Sequence, residues 1–188
     1  MARTPRTVSG QIIPLVESEL VDKDIVGADL QSRLNEVARI ALSIERETGV
    51  PARALIAQWA IESRWGAQPA GEHNYFGMKK ATRHEKYCIV DTQEVICGET
   101  VEQTLVFADY DSLETSCRDY AWLISRGSRY QKAWVKYQRS RDVLALLQDI
   151  AGIYATDPLY ARLAMQIAQQ RNVCAAVERA KDEIPPGG

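Results

Sequence analysis

The stretch PARALIAQWAIESRWG, residues 51–66, carries the clearest structural signal in the chain. Proline is favoured in the first turn of a helix and glycine just beyond the last, so this stretch predicts a helix from Pro51 to Gly66. At 100° per residue, one stripe of that helix is formed by Leu55, Ile56, Trp59, Ala60 and Ser63. Glu62 lies at the margin of the stripe and is therefore expected to be half turned toward apolar surface.

The position of Glu62 favours the protonated form of its carboxyl. The last turn of a helix carries the negative end of the helix dipole, and partial burial also disfavours an anion. A carboxyl that keeps its proton near neutral pH is suited to general acid catalysis. The alternative is a solvated glutamate that pairs with Arg53 or Arg64, and the helix alone favours that alternative.

The rest of the chain predicts a mainly helical α+β domain with one hairpin. Apolar residues at helical spacing follow Asp29, a candidate N-cap, and end at Gly49. Residues 87–96 and 104–110 are rich in β-formers and flank a turn-like CGET, which predicts a β-hairpin. Further helices are predicted from near Ser112, Ser128, Ser140 and Pro158, the last with Asp157 as N-cap.

The domain boundaries follow from changes in composition. Residues 1–28 lack periodicity and are expected to form an arm over the domain. Residues 29–182 form the domain, with a hairpin lobe at about 86–108. Residues 183–188 end in IPPGG and are expected to be disordered.

Charge and hydropathy exclude several classes of protein. The 23 Lys and Arg residues nearly balance the 25 Asp and Glu residues, so we expect no nucleic-acid partner. No run of about 18 apolar residues exists, so no membrane helix is predicted. The early apolar run IIPLV is short and broken by Pro14, so no signal peptide is predicted either.

The cysteines and histidines do not have the spacing of a metal site. The four cysteines are far apart and only two histidines are present, so no metal and no cofactor are predicted. One or two disulfides, or buried free thiols, are all compatible with this spacing. The cysteines are Cys88, Cys97, Cys117 and Cys174.

Six motifs occur in an order that resembles the family 73 glucosaminidases, which cleave bacterial cell-wall peptidoglycan. The motifs are AIESRWG, NYFGMK at 74–79, DTQEV at 91–95, FADYDSLETSCRDYAWLI, RY at 129–130 and YATDPLYA at 154–161. The resemblance covers about residues 35–170. It implies a lysozyme-like fold with a helical lobe, a small β-hairpin lobe and a sugar-binding groove between them.

The resemblance also implies roles for individual residues. Glu62 is similar to the general acid that protonates the leaving glycosidic oxygen. Glu94 is similar to the second carboxylate, with Asp91 and Glu99 as its rivals on the hairpin. Tyr154 is similar to a tyrosine that lines the cleavage subsite, and Tyr160 is the less favoured candidate for that role.

A loop that resembles the family's NxFG motif is expected to bind substrate under the groove. Its residues are Asn74, Tyr75, Phe76 and Gly77. The alternatives are that Tyr75 and Phe76 belong to the core and that Asn74 stabilises a turn. The short loop ATRHEKY and the two hairpin cysteines, Cys88 and Cys97, depart from the family pattern.

The sequence is compatible with several functions. The bond cleaved is expected to be the β-1,4 bond between N-acetylglucosamine and N-acetylmuramic acid, by an inverting, retaining or substrate-assisted route. The alternatives are a muramidase or lytic transglycosylase of the same fold, and a non-catalytic wall-binding module.

The expected site of action is the periplasm or cell wall. Without a signal peptide, we expect delivery as a phage endolysin or as an antibacterial toxin injected by a system such as type VI secretion. In the toxin case, the expected partner is an immunity protein that plugs the groove over Glu62.

Overall fold

The computed structural model describes residues 7–9, 27–96, 99–154 and 158–184. The helices in these ranges are α1 (Ala28–Thr48), α2 (Ala52–Glu62), α3 (Leu113–Arg126), α4 (Gln131–Ser140), α5 (Val143–Tyr154), α6 (Pro158–Gln169) and α7 (Arg171–Glu183). A 3-10 turn, Ser128–Tyr130, precedes α4. The strands are β1 (Thr7–Ser9), β2 (Tyr87–Ile96) and β3 (Glu99–Ala108). The prediction of a mainly helical α+β chain is confirmed.

Helix α2 is the centre of the helical lobe. All of its residues are buried except Arg53 and Glu62, so the helix is buried around nearly its whole circumference rather than along one stripe. It packs against α1, α5, α6 and α7. A helix enclosed in this way is held by its neighbours, which gives Glu62 a rigid support.

The junction of α1 and α2 is closed by local hydrogen bonds. Gly49 has φ 79°, a left-handed conformation that glycine adopts without steric cost, and its N–H donates to the Glu45 carbonyl. The Glu45 carboxylate accepts from the Ala52 N–H at 2.9 Å. The predicted stop at Gly49 is confirmed. Asp29 is not the N-cap, because the helix begins at Ala28 after Gly27 and Asp29 lies in its first turn.

Helix α2 ends at Glu62, four residues before the predicted end at Gly66. The Ser63 hydroxyl donates to the Trp59 carbonyl at 2.6 Å and accepts from the Gly66 N–H, which replaces helical hydrogen bonds. Residues 64–66 have positive φ. A Cβ on Gly66 would lie 2.6 Å from the Trp59 ring, so only glycine fits there. Glu62 is therefore the last helical residue.

The hairpin, β2 and β3, belongs to a three-stranded sheet in the order β1-β2-β3, in which β2 is the central strand. Strands β2 and β3 pair antiparallel from Tyr87 with Ala108 to Ile96 with Glu99, so β3 begins five residues earlier than predicted. Strand β1 comes from the predicted arm and pairs parallel with β2, with Thr7 opposite Ile89. This part of the arm belongs to the sheet.

Helices α3 to α7 complete the helical lobe. The predicted starts near Ser112 and Pro158 are confirmed, and Ser112 accepts from the Thr115 N–H as an N-cap. Helix α5 begins at Val143 rather than near Ser140, because the Asp142 carboxylate accepts from the N–H groups of Leu144 and Ala145. Asp157 and residues 185–188 lie outside the described residues.

Helix α7 was not predicted as a separate element. It follows α6 after Gln170 alone, with no proline or glycine between the two helices. It packs along α1 and buries four small apolar side chains at helical spacing. These residues are Val173, Ala176, Val177 and Ala180.

Three of the four cysteines are free thiols. Cys88 and Cys117 are buried and Cys174 is partly buried, whereas Cys97 lies outside the described residues. In the described ranges no three His, Cys, Asp or Glu side chains come together as metal ligands. None of the helices described is long and apolar enough to cross a membrane.

Candidate active site

Glu62 lies at the C-terminal end of α2 and is partly exposed. Burial raises the pKa of its carboxyl to about 7, and a hydrogen bond from the Tyr160 hydroxyl opposes this rise. The carboxyl is therefore about half protonated near neutral pH. The surface ion pair that the helix alone favoured is absent from the ion pairs of the described residues. Glu62 has the properties of a general acid.

Tyr160, on α6, is the tyrosine that the structure brings to Glu62. Its hydroxyl contacts Oε1 of Glu62 and lies 2.6 Å from Oε1 of Gln58. Gln58 and Glu62 are four residues apart on α2 and so share one face of the helix. Tyr154, the favoured candidate from sequence, is the last residue of α5, and its side chain lies outside the described part of the chain.

Tyr130, in the 3-10 turn, is a second aromatic residue near Glu62. Its side chain is buried, and burial raises the pKa of the phenol. The charge of Arg129 opposes this rise and the charge of Glu62 adds to it. Arg129 itself donates to the Ile153 carbonyl at 3.4 Å, at the end of α5. The site thus collects residues from α2, α6 and the 3-10 turn.

Glu94 lies in the outer half of the hairpin, on β2 opposite Val101 of β3. Its rival Asp91 lies three residues nearer the base of β2, opposite Thr104. The other rival, Glu99, pairs with Ile96 directly beside the tip of the hairpin. The side chains of all three lie outside the described residues, so the role of Glu94 stays a prediction.

Asn74 is a structural residue in the NYFG loop. Its side chain is buried and makes hydrogen bonds to four backbone groups. The amide nitrogen donates to the carbonyls of Met78 and Ala108, each at 2.9 Å. The amide oxygen accepts from the N–H groups of Met78 and Phe76 at 3.0 and 3.4 Å. These hydrogen bonds engage both polar atoms of the amide and support a structural role, while the predicted sugar contact by Asn74 stays a prediction.

Phe76 is likewise a residue of the hydrophobic core. Its ring is fully buried and stacks on Tyr120 with centroids 4.5 Å apart. Both faces of the Phe76 ring are therefore shielded from solvent, while the predicted substrate contact of this residue stays a prediction. Gly77 has φ 60°, which a residue with a Cβ adopts only with strain.

Tyr75 is the aromatic member of the loop that keeps an exposed surface. Its side chain is partly buried, and its backbone N–H donates to the Ser116 hydroxyl at 3.2 Å. Burial raises the pKa of the Tyr75 phenol, with a smaller contribution from Glu36. A partly exposed aromatic side chain suits contact with the apolar face of a sugar ring.

Gln58 is the residue at this site that the sequence analysis missed. It is fully buried, although glutamine is mostly an exposed residue. The available signal was its position one helical turn before Glu62 in an otherwise apolar helix. Tyr130 was noticed as part of a motif, but the sequence assigned it no role.

The helical lobe, the hairpin and the protonatable glutamate at the end of a central helix define the class of the lysozyme-like glycoside hydrolases. The chain belongs to the family described as mannosyl-glycoprotein endo-beta-N-acetylglucosaminidase, which it matches over residues 38–173. The predicted family and the predicted fold class are both confirmed by this match and by the relatives below.

Known relatives share most of the chain. It is 38% identical over 147 residues to the peptidoglycan hydrolase FlgJ of Pseudomonas aeruginosa, across 74% of this chain and 36% of that protein. It is 30% identical over 152 residues to a probable N-acetylmuramidase of Lactococcus lactis, across 74% and 33%. A C-terminally truncated glycoside hydrolase domain of Salmonella typhimurium FlgJ superposes with a TM-score of 0.56 at 29% identity, across 76% of this chain and 95% of that domain.

The two curated relatives are longer than the chain described above. The chain spans between 33% and 45% of the length of the first curated relatives it matches. The part shared with the Salmonella structure covers nearly all of that glycoside hydrolase domain.

Proposed function

We propose that this chain hydrolyses peptidoglycan at the β-1,4 bond between N-acetylglucosamine and N-acetylmuramic acid. The observation that carries the proposal is the half-buried Glu62 with its raised pKa, held against Tyr160 at the end of a buried helix. The family match and the peptidoglycan hydrolases among the relatives support the choice of substrate.

In the proposed reaction Glu62 acts as the general acid. It transfers its proton to the leaving glycosidic oxygen as the bond to the sugar carbon breaks and charge develops on the ring. Glu62 then carries a negative charge, which the Tyr160 hydroxyl stabilises by donating to it. Glu94 is the proposed second carboxylate, which activates water or stabilises the charged sugar.

Replacing Glu94 with glutamine is expected to lower the turnover of purified sacculi by about 10²-fold or more, because the amide can neither accept a proton nor stabilise a cation. Release of soluble muropeptides measures this loss. Asp91→Asn and Glu99→Gln are matched variants of the two rival carboxylates and are expected to retain activity. Nearly full activity of Glu94→Gln would contradict the two-carboxylate mechanism and favour a lytic transglycosylase.

A muramidase is the second candidate function, since some relatives at 30% identity are described as probable N-acetylmuramidases. Mass spectrometry of the digested sacculi separates the candidates in one measurement. A new reducing-end N-acetylglucosamine is expected. A reducing-end N-acetylmuramic acid would replace our proposal with the muramidase, and an anhydro form would replace it with a transglycosylase.

The proposed partner of this activity is a protein inhibitor that inserts a loop over Glu62, as an immunity protein would. A single carboxyl that must reach its substrate can be blocked by one inserted loop. The product of an adjacent gene is expected to bind this chain, as measured by calorimetry, and hydrolysis of sacculi is expected to fall as it binds. Tight binding that leaves hydrolysis unchanged would contradict this mode of inhibition.

A further inference from the structure

The hydroxyl of Tyr160 lies between two hydrogen-bond acceptors. Oε1 of Gln58 is 2.6 Å away, and Oε1 of Glu62 contacts the same hydroxyl. A phenol has one proton to donate, so it cannot form full hydrogen bonds to both oxygens at once. Gln58 and Glu62 therefore compete for the Tyr160 proton.

Gln58 is buried in the core, next to the Tyr160 hydroxyl. Its side chain is fully buried, and Nε2 is buried without a hydrogen-bond partner among the residues that the structure describes. A buried amide nitrogen without a partner costs free energy that an apolar side chain of similar size would not cost. The amide thus has one polar contact in the described part of the chain, and that contact is with Tyr160.

We propose that Gln58 is a positioning residue that takes the Tyr160 proton and so keeps the carboxyl of Glu62 in its protonated, proton-donating form. The proposal rests on the role of Glu62 in the proposed function. While Glu62 is protonated, the Tyr160 hydroxyl donates to Oε1 of Gln58. When Glu62 has given its proton to the glycosidic oxygen, the hydroxyl rotates and donates to the new carboxylate. No proton is gained or lost by Gln58 or Tyr160.

The direction of the effect follows from this exchange. In the ionised state Tyr160 donates to the carboxylate whether or not Gln58 is present. In the protonated state Gln58 supplies the better acceptor, so it stabilises that state alone. Removing Gln58 is therefore expected to lower the pKa of Glu62.

The ionisable groups that face Glu62 are on other side chains, so a substitution of Gln58 does not remove any of them. Tyr160 faces Glu62 from α6. Tyr130 faces Glu62 from the 3-10 turn, and Arg129 lies beside Tyr130. From α1, Arg33 donates to the Trp65 carbonyl just beyond the end of α2. On the hairpin, Glu94 is the proposed second carboxylate.

The test is Gln58→Met, which keeps the length of the side chain and removes its polar atoms, with Gln58→Leu as a second variant. The Glu62 carboxyl is titrated by carbon NMR, and the alkaline limb of the kcat profile on sacculi is measured in parallel. The pKa of Glu62 from NMR and the pKa of the alkaline limb are both expected to fall by about 0.7 pH unit. This shift corresponds to the free energy of one neutral hydrogen bond, about 1 kcal/mol. In a Tyr160→Phe background the same change is expected to move neither.

Gln166→Met is the matched control, since the Gln166 side-chain oxygen is also buried without a partner in the described part of the chain. It is expected to leave both titrations unchanged. An unshifted NMR titration in Gln58→Met, or an equal shift in the Tyr160→Phe background, would overturn the proposal. The NMR titration needs no turnover, so inactivity of the wild type on sacculi would refute the proposed function without deciding the role of Gln58.

Discussion

Replacing Glu62 with glutamine is expected to lower kcat on purified sacculi by about 10³-fold, the largest effect on activity of any change proposed above. The amide has nearly the same shape but no proton to give to the leaving oxygen, so general acid catalysis is lost. Release of soluble muropeptides measures the effect. Activity within tenfold of the wild type would contradict the assignment of Glu62.

The same variant carries its own control for folding, because it is expected to be more stable than the wild type at alkaline pH. Burial raises the pKa of Glu62 from 4.5 to about 7. The folded state therefore holds a proton that the unfolded state has released, and stability falls as pH rises between these values. Glutamine removes this loss, which is up to about 3 kcal/mol.

Thermal unfolding at two pH values measures that gain. At pH 8 the Glu62→Gln variant is expected to unfold at a higher temperature than the wild type, by up to roughly 10 °C. At pH 4, below both values, the two proteins are expected to differ little. A variant that is inactive and also less stable at pH 8 would show damage to the fold rather than loss of an acid.

Replacing Asn74 with alanine is expected to lower the free energy of unfolding by about 3 kcal/mol. The change leaves the carbonyls of Met78 and Ala108 and the Met78 N–H buried without their side-chain partner. It also removes the side-chain link from the NYFG loop to Ala108 of β3, while the backbone hydrogen bond from the Ala108 N–H to the Met78 carbonyl stays. Denaturant unfolding measures the loss.

Asn35→Ala is the matched control, because Asn35 lies partly exposed on α1 and accepts from Gln31 and Arg179. It is expected to cost less than about 1 kcal/mol. The family resemblance had suggested instead that Asn74 binds the sugar. A raised KM without a loss of stability in Asn74→Ala would restore that interpretation.

The sequence predicted the elements whose signals are local. Gly49 and Pro51 punctuate the α1–α2 junction, and the β-rich segments around CGET indicated the hairpin. Glu62 was found through its position on a helix and the order of motifs around it. None of these inferences needed a long-range contact.

The features that sequence reasoning missed depend on contacts between distant parts of the chain. Tyr160 reaches Glu62 across 98 residues, and nothing local ranks it above Tyr154. The end of α2 at Glu62 is set by the Ser63 hydroxyl and by the packing of Gly66 against Trp59, which compete with helix propensity. The motif favoured a binding role for Phe76. Its place in the core depends on stacking against Tyr120, which lies on another element.

Strand β1 shows that the folded unit begins before the region of the family match. Strand β1 lies outside residues 38–173, yet it covers one edge of β2, the strand on which Glu94 is placed. Most of α7, which packs along α1, also lies beyond that range. A protein trimmed to the family match would leave an open β edge at Ile89–Asp91, on the strand that carries Glu94, and an uncovered apolar face on α1. Such an edge is a template for aggregation, so we expect the stable folded domain to extend beyond the family match.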